Sequence, residues 1–149
     1  MDLAILLQTE QNAIVGEAAD RLTRAHLLHY AVSDSAENRA RLQRLAELIF
    51  DCVQQRNLIP MVDYAERLAE ERFQGGFGVQ EVLTAFNVME ETIWARITDT
   101  IEPVDYPLAF GLLGTVLGAG KQALAVRYVS LAAKHQTPSL DLTSLFKGG

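Results

Sequence analysis

Apolar positions recur at three- and four-residue spacings along nearly the whole chain, and no segment alternates apolar and polar residues in the manner of a strand. The pattern predicts an all-α fold, a single-domain bundle of about five helices, with a globin-like arrangement as one form it can take. The first helix is expected from about Asp2 to Leu28, with Leu3, Leu7, Ile14, Ala18, Ala25 and Leu28 on one side. Glu10 and Glu17 interrupt that side, so a break near Thr9 is in keeping with the pattern. Asp34 and Glu37 have capping-box spacing ahead of a clean stripe, Leu42, Leu45, Ala46, Ile49, Cys52 and Val53, that runs to about Arg56. Pro60 suits the first turn of a third helix, in which Met61, Tyr64, Ala65 and Leu68 share a face until Gly75 stops it. The fourth helix, about Val79 to Ile101, carries Val79, Val82, Leu83, Phe86, Ile93 and Ile97 in one stripe with Trp94 at its edge, and Pro103 ends it. Asp105 as cap and Pro107 in the first turn open a fifth helix that continues to about His135. The helical domain is thus expected over 1–136, followed by the polar tail QTPSLDLTSLFKGG as a linker or frayed end over 137–149.

The fifth helix has an unusual distribution of small residues. At 100° per residue, Gly111, Gly114, Gly118, Ala125 and Ala132 fall within a sector of about 60°, which leaves one narrow face nearly free of side chains. Glycine inside a helix costs about 1 kcal/mol relative to alanine, and close helix packing is what such a face permits. That packing is either against another helix of the same chain or against a second copy. Leu112, Leu113, Val116 and Leu117 cover other sides of the same turns, so the helix needs burial all round, and a two-fold homodimer built on it is the expectation. The stretch Tyr106 to Gly120 carries no charge, but at about 15 residues it is shorter than the roughly 20 a membrane span requires, and Lys121 follows. No membrane span is expected.

Composition narrows the function. The 149 residues are 49% apolar, enough for one core. A formal net charge of −6 without clustered Lys or Arg speaks against nucleic acid or anionic lipid as a partner. The lone cysteine, Cys52, fits a reducing compartment, and the N-terminal MDLAILLQTEQN lacks the basic region and cleavage site of a secretion signal, so a cytoplasmic protein is expected.

Candidate chemistry is sparse. The cluster Gly75, Gly76, Phe77, Gly78 has neither the GxxxxGK[ST] nor the GxGxxG spacing of a phosphate-binding loop and follows a helix instead of a strand, so it reads as an interhelix joint with Phe77 as an apolar anchor. Gly75 or Gly76 can take the left-handed helix cap. Arg72 lies on the face of Met61, Ala65 and Leu68, and Glu90 lies within the stripe of Phe86, Ile93 and Ile97. Both charges therefore point inward, and each needs a partner: the other, or the free carbonyls near Gly75 for Arg72. They are read as a buried charge pair, with a switch role as the sharper alternative. His26 and His29 are three apart on a helix, but no further ligand set accompanies them, and serines and threonines cluster where helix caps are needed. No metal, no catalytic residue and no enzyme is expected.

The run Ala65 to Arg72, AERLAEER, then Gly75-Gly76-Phe77, Glu81-Val82-Leu83, Ala85-Phe86-Asn87, Met89-Glu90-Glu91 and Ile93-Trp94, resembles the helical N-terminal domain of the RsbRD type. That domain is named for RsbT co-antagonist proteins and also precedes some bacterial histidine kinases. The resemblance covers most of the chain and is concentrated between Leu68 and Trp94. It implies a bacterial sensory or protein-interaction module of stress-response signalling, without enzymatic activity of its own and with a STAS-domain or kinase protein as partner. Two classes follow: a dimeric signalling module that passes a stimulus through its C-terminal helix, with no cofactor, and a globin-like binder of a small ligand or haem, for which His29 is the first candidate axial ligand.

Overall fold

The computed structural model describes residues 1–26 and 35–136. Leu28, His29, the cap expected at Asp34 and the tail over 137–149 lie outside these residues. Among those described, the chain is helical almost throughout and has no strand, with six α-helices in place of the expected five. They are α1 (Leu3–Thr9), α2 (Gln11–His26), α3 (Ser35–Gln55), α4 (Ile59–Gln74), α5 (Val79–Thr100) and α6 (Tyr106–Gln136).

The extra helix comes from a break at Glu10, whose φ of −109° and ψ of 17° lie outside the helical region. Asp2 caps α1 by accepting from the Ile5 N–H at 2.9 Å. Past the break, the Glu10 carbonyl accepts from Ile14 N–H, so backbone pairing resumes at once. Leu3, Leu6 and Leu7 of α1 and Ile14, Val15, Ala18 and Leu22 of α2 are all buried.

Pro60 starts α4 as the sequence suggests, and the side chain of Asn57, which the sequence reading did not single out, accepts from Ile59 N–H at 3.1 Å. α3 ends at Gln55, within a residue of the expected Arg56, and Arg56 itself takes the left-handed conformation, φ 54°, at a place where glycine is usual. Pro103 does terminate α5, but Asp105 does not form a separate cap; it closes a short 3-10 turn, Pro103–Asp105, that runs straight into α6.

All six helices contribute to one core, whose fully buried members include Ile49, Met61, Phe86, Met89, Ile93 and Leu113. Burying a side chain of this size contributes about 1.5–3 kcal/mol. Around that core α4 packs on α6, α6 on α5, α5 on α2 and α2 on α3. The 31-residue α6 is about 46 Å long and forms one wall of the bundle, between α4 and α5.

Candidate functional site

The α4–α5 joint is a helix terminus. Gly76 has φ +82°, Gly76 N–H donates to Phe73 O and Phe77 N–H donates to Arg72 O, which together make a Schellman closure. Phe77 is 38% exposed and so is not the core anchor expected of it. Its ring instead lies 4.4 Å from the Arg72 guanidinium, filling the place that an apolar contact takes in most such closures. A Cβ at Gly75 would come within 3.2 Å of the Phe77 ring and press it aside, while Gly78 precedes α5 in extended conformation.

Arg72 and Glu90 do not pair. The joint places the end of α4 level with the first turns of α5, near Glu81, whereas Glu90 lies nine residues further on, about 13 Å along the helix. Glu90 accepts from Lys121 Nζ of α6 at 2.9 Å, and both side chains are half-buried. Among the described residues no carboxylate forms an ion pair with Arg72. Desolvation, and then repulsion from Arg41, hold its pKa below the ordinary guanidinium value.

Other cross-helix pairs escaped sequence reasoning, since spacing within a helix carries no information on partners tens of residues away. Arg96 of α5 reaches Glu17 at 3.1 Å and Glu10 at 3.3 Å, tying both sides of the α1–α2 break to α5. Arg127 donates to Glu70 at 2.6 Å and fastens α6 to α4.

A cavity of about 60 Å³, room for a few water molecules, lies between α3, α4 and α5 and is lined mainly by apolar groups, with Arg41, Tyr64, Arg72 and Glu81 at its wall. Burial pushes the Tyr64 phenol up, with the charge of Arg41 working the other way. A wider cleft of about 500 Å³ opens at the opposite end of the bundle beside Asp2, Arg56, Asp105 and Leu108. Of its polar groups, Asp2 is used in capping α1. Among the described residues no three His, Cys, Asp or Glu side chains could hold a metal ion.

The glycine face of α6 gives the clearest result. Gly111, Gly114 and Gly118 point away from the bundle, and a Cβ built on any of them meets nothing within 4 Å. None of the described helices of the same chain packs on them. Ala125 and Ala132 sit at the border of this face, half-buried. The close approach within the chain is made by a glycine that the sequence did not single out: at Gly120 a Cβ would lie 2.9 Å from Met61 Sδ and 3.0 Å from Phe86 Cε1.

Around the outward glycines, α6 presents Leu108, Thr115, Gln122, Val126 and Val129, with Leu108 58% and Val129 70% exposed and no charge among them. No Asp or Glu occurs between Tyr106 and Gln136 in a chain of net charge −6. Leu108, Gly111, Thr115, Gly118, Gln122, Ala125, Val129 and Ala132 alternate spacings of three and four, the seam of a heptad pattern whose every second position is Gly or Ala. By length and composition the segment Pro103–Lys134 is also long and apolar enough to cross a membrane, as the core helix of a bundle can be. Its inner side packs on the bundle, and its Lys121 and Arg127 are each paired with a carboxylate.

No protein-family model, curated protein or solved structure matches this chain.

Proposed function

We propose that the protein is a non-enzymatic bacterial signalling module of the cytoplasm that works as a homodimer and transmits through α6. The observation that carries this reading is the outward face of α6, an uncharged strip in which three glycines meet nothing among the described residues. A helix interior that accepts the cost of three glycines gains from them where another backbone comes close. A second copy suits the strip because it lacks the acidic groups that would make two copies of charge −6 repel one another there. Two helices packed along such a seam have few alternative registers, and a stimulus that alters the crossing can be passed on from the C-terminal end of α6. The resemblance to RsbRD-type domains points the same way and suggests a STAS-domain or kinase protein as the next partner.

Light scattering at micromolar concentration tests the reading. The wild-type protein is expected at twice the monomer mass, and Gly114→Leu with Gly118→Leu at the monomer mass. The open space at both glycines means that the leucines leave the monomer fold intact. A monomeric wild type, or a dimer that tolerates both leucines, removes this face from the interface.

The cavity beside Arg72 favours a second reading, a sensor of a small anionic ligand. Arg72, which has no ion-pair partner among the described residues, would gain one from a carboxylate, whereas Arg41 is already paired with Glu37 at 2.6 Å and lies 3.9 Å from Glu71. Its size does not suit a porphyrin, and His29 lies outside the described residues. Short-chain carboxylates should then raise the unfolding midpoint of the wild type and leave that of Arg72→Ala unmoved; equal responses would discard this reading.

A further inference from the structure

Trp94 is the single tryptophan of the chain, and it is 51% exposed on α5 at the edge of α6. Its ring is nevertheless held in place. It packs edge-on against Phe110 of α6 with centroids 5.4 Å apart, and Phe110 packs in turn on Tyr106 at 5.6 Å. The Tyr106 hydroxyl closes the set by donating to Thr98 O of α5 at 2.9 Å. The outer face of the indole thus stands in water in a fixed orientation, and ordering it on binding costs little further entropy. Gly114 lies one turn beyond Phe110 on the same side of α6, so a protruding aromatic ring and a surface without side chains are neighbours on one molecule. The adjoining charge at this edge, Lys121, is already neutralised by Glu90.

We infer that Trp94 is the anchor of the α6 interface, seated in the dimer against the side-chain-free strip at Gly114 and Gly118 of the second copy. This rests on the dimer reading proposed above and adds to it the residue that dominates the contact. A two-fold axis through the glycine strip makes the arrangement self-complementary, because each copy supplies one ring and receives one. Tryptophan is among the residues most enriched at the energetic centres of protein interfaces, which lie in well-packed, desolvated pockets. The exposed strip of α6 offers no free charge to attract an acidic or basic partner, which leaves an uncharged surface like its own as the fitting occupant.

With one tryptophan, fluorescence reports on this position alone. Wild-type protein is diluted through its dissociation range, and emission maximum, acrylamide quenching and light-scattering mass are read on the same samples. Emission is expected to move to the red and quenching to rise severalfold as the mass halves, with the Gly114→Leu, Gly118→Leu protein showing the fully quenched state at every concentration. Trp94→Ala should raise the dimer dissociation constant at least tenfold at unchanged helical content, with Trp94→Phe in between. Emission that stays fixed while the mass halves would overturn the role of Trp94 and leave the dimer standing. A wild type that is monomeric throughout would overturn both. A blue shift produced only by phosphatidylcholine vesicles would assign the ring and strip to lipid and also overturn the inference. Should the Trp94 variants fail to fold, the dilution series on the wild type still decides.

Discussion

Arg72 shows how a charge can occupy an apolar stripe without a carboxylate. Its carbonyl accepts the closing hydrogen bond of α4, its guanidinium covers the Phe77 ring, and its burial is partial, so the demand for an ion pair is weaker than helical geometry alone suggests. Removing that cover by Arg72→Ala should cost about 1 kcal/mol in a chemical unfolding experiment. That is well short of the several kcal/mol expected when a buried pair is broken. Tyr128 makes the converse case. Its hydroxyl is buried and has no hydrogen-bond partner among the described residues, so Tyr128→Phe should be neutral or stabilise by up to about 1 kcal/mol. Burial also holds the phenols of Tyr64 and Tyr128 above their ordinary value of 10.0. Because the folded state favours the protonated phenol, this contribution is complete below that value and is lost as the pH rises from it through the raised folded values. The alkaline loss of stability should therefore shrink in Tyr64→Phe, as followed by helical signal against pH. Inward-pointing Arg72 and Glu90 were legible in the sequence as residues on apolar faces. Their partners were not, because Lys121 lies 31 residues from Glu90 and only the packing of α5 on α6 brings the two together.

At the scale of elements, the apolar stripes of α3 and α4 could be read closely, with Leu48 and Ala69 missed, whereas that of α5 was read only in part, since Val88, Met89 and Thr92 are buried there as well. The stripe of α6 could not be read, because apolar residues surround it and spacing alone does not say which side meets the core. The structure separates its glycines into two kinds, and substitution should separate them again. Gly120→Ala brings a methyl group to 2.9 Å from Met61 Sδ and should destabilise by about 1–3 kcal/mol, even though alanine is the better helix former. Gly111→Ala, in contrast, meets open space and should stabilise the isolated monomer by up to about 1 kcal/mol, measured below the dimer dissociation range. If both changes moved stability in the same direction, the assignment of inner and outer faces on α6 would be wrong. The break at Glu10 was visible only as an interruption of a stripe. Arg96, 86 residues away in sequence from Glu10, bonds both Glu10 and Glu17 across it, a contact that spacing within the helix could not reveal.

For the whole molecule, charge and shape divide the surface into an acidic body and one uncharged strip. A dimer made through that strip brings two bodies of net charge −6 together without an ion pair at the seam. Added salt should therefore strengthen it, by screening the bodies over a Debye length of about 10 Å at 0.1 M, while leaving the apolar contact intact. A dimer that salt weakens would instead be held by charge and would use another face. The most direct measurement is a cross-link at the centre of the seam. Thr115 is exposed between Gly114 and Gly118, and the native Cys52 is buried, so Thr115→Cys places one accessible thiol where two copies of α6 cross. Mild oxidation should convert most of this protein to a covalent dimer, because helices in contact at glycines bring paired Cα atoms toward the 4.4–6.8 Å range of a disulfide. The control Glu66→Cys, exposed on α4, should remain largely monomeric under the same conditions. Cross-linking no greater at Thr115 than at Glu66 would contradict a dimer built on α6.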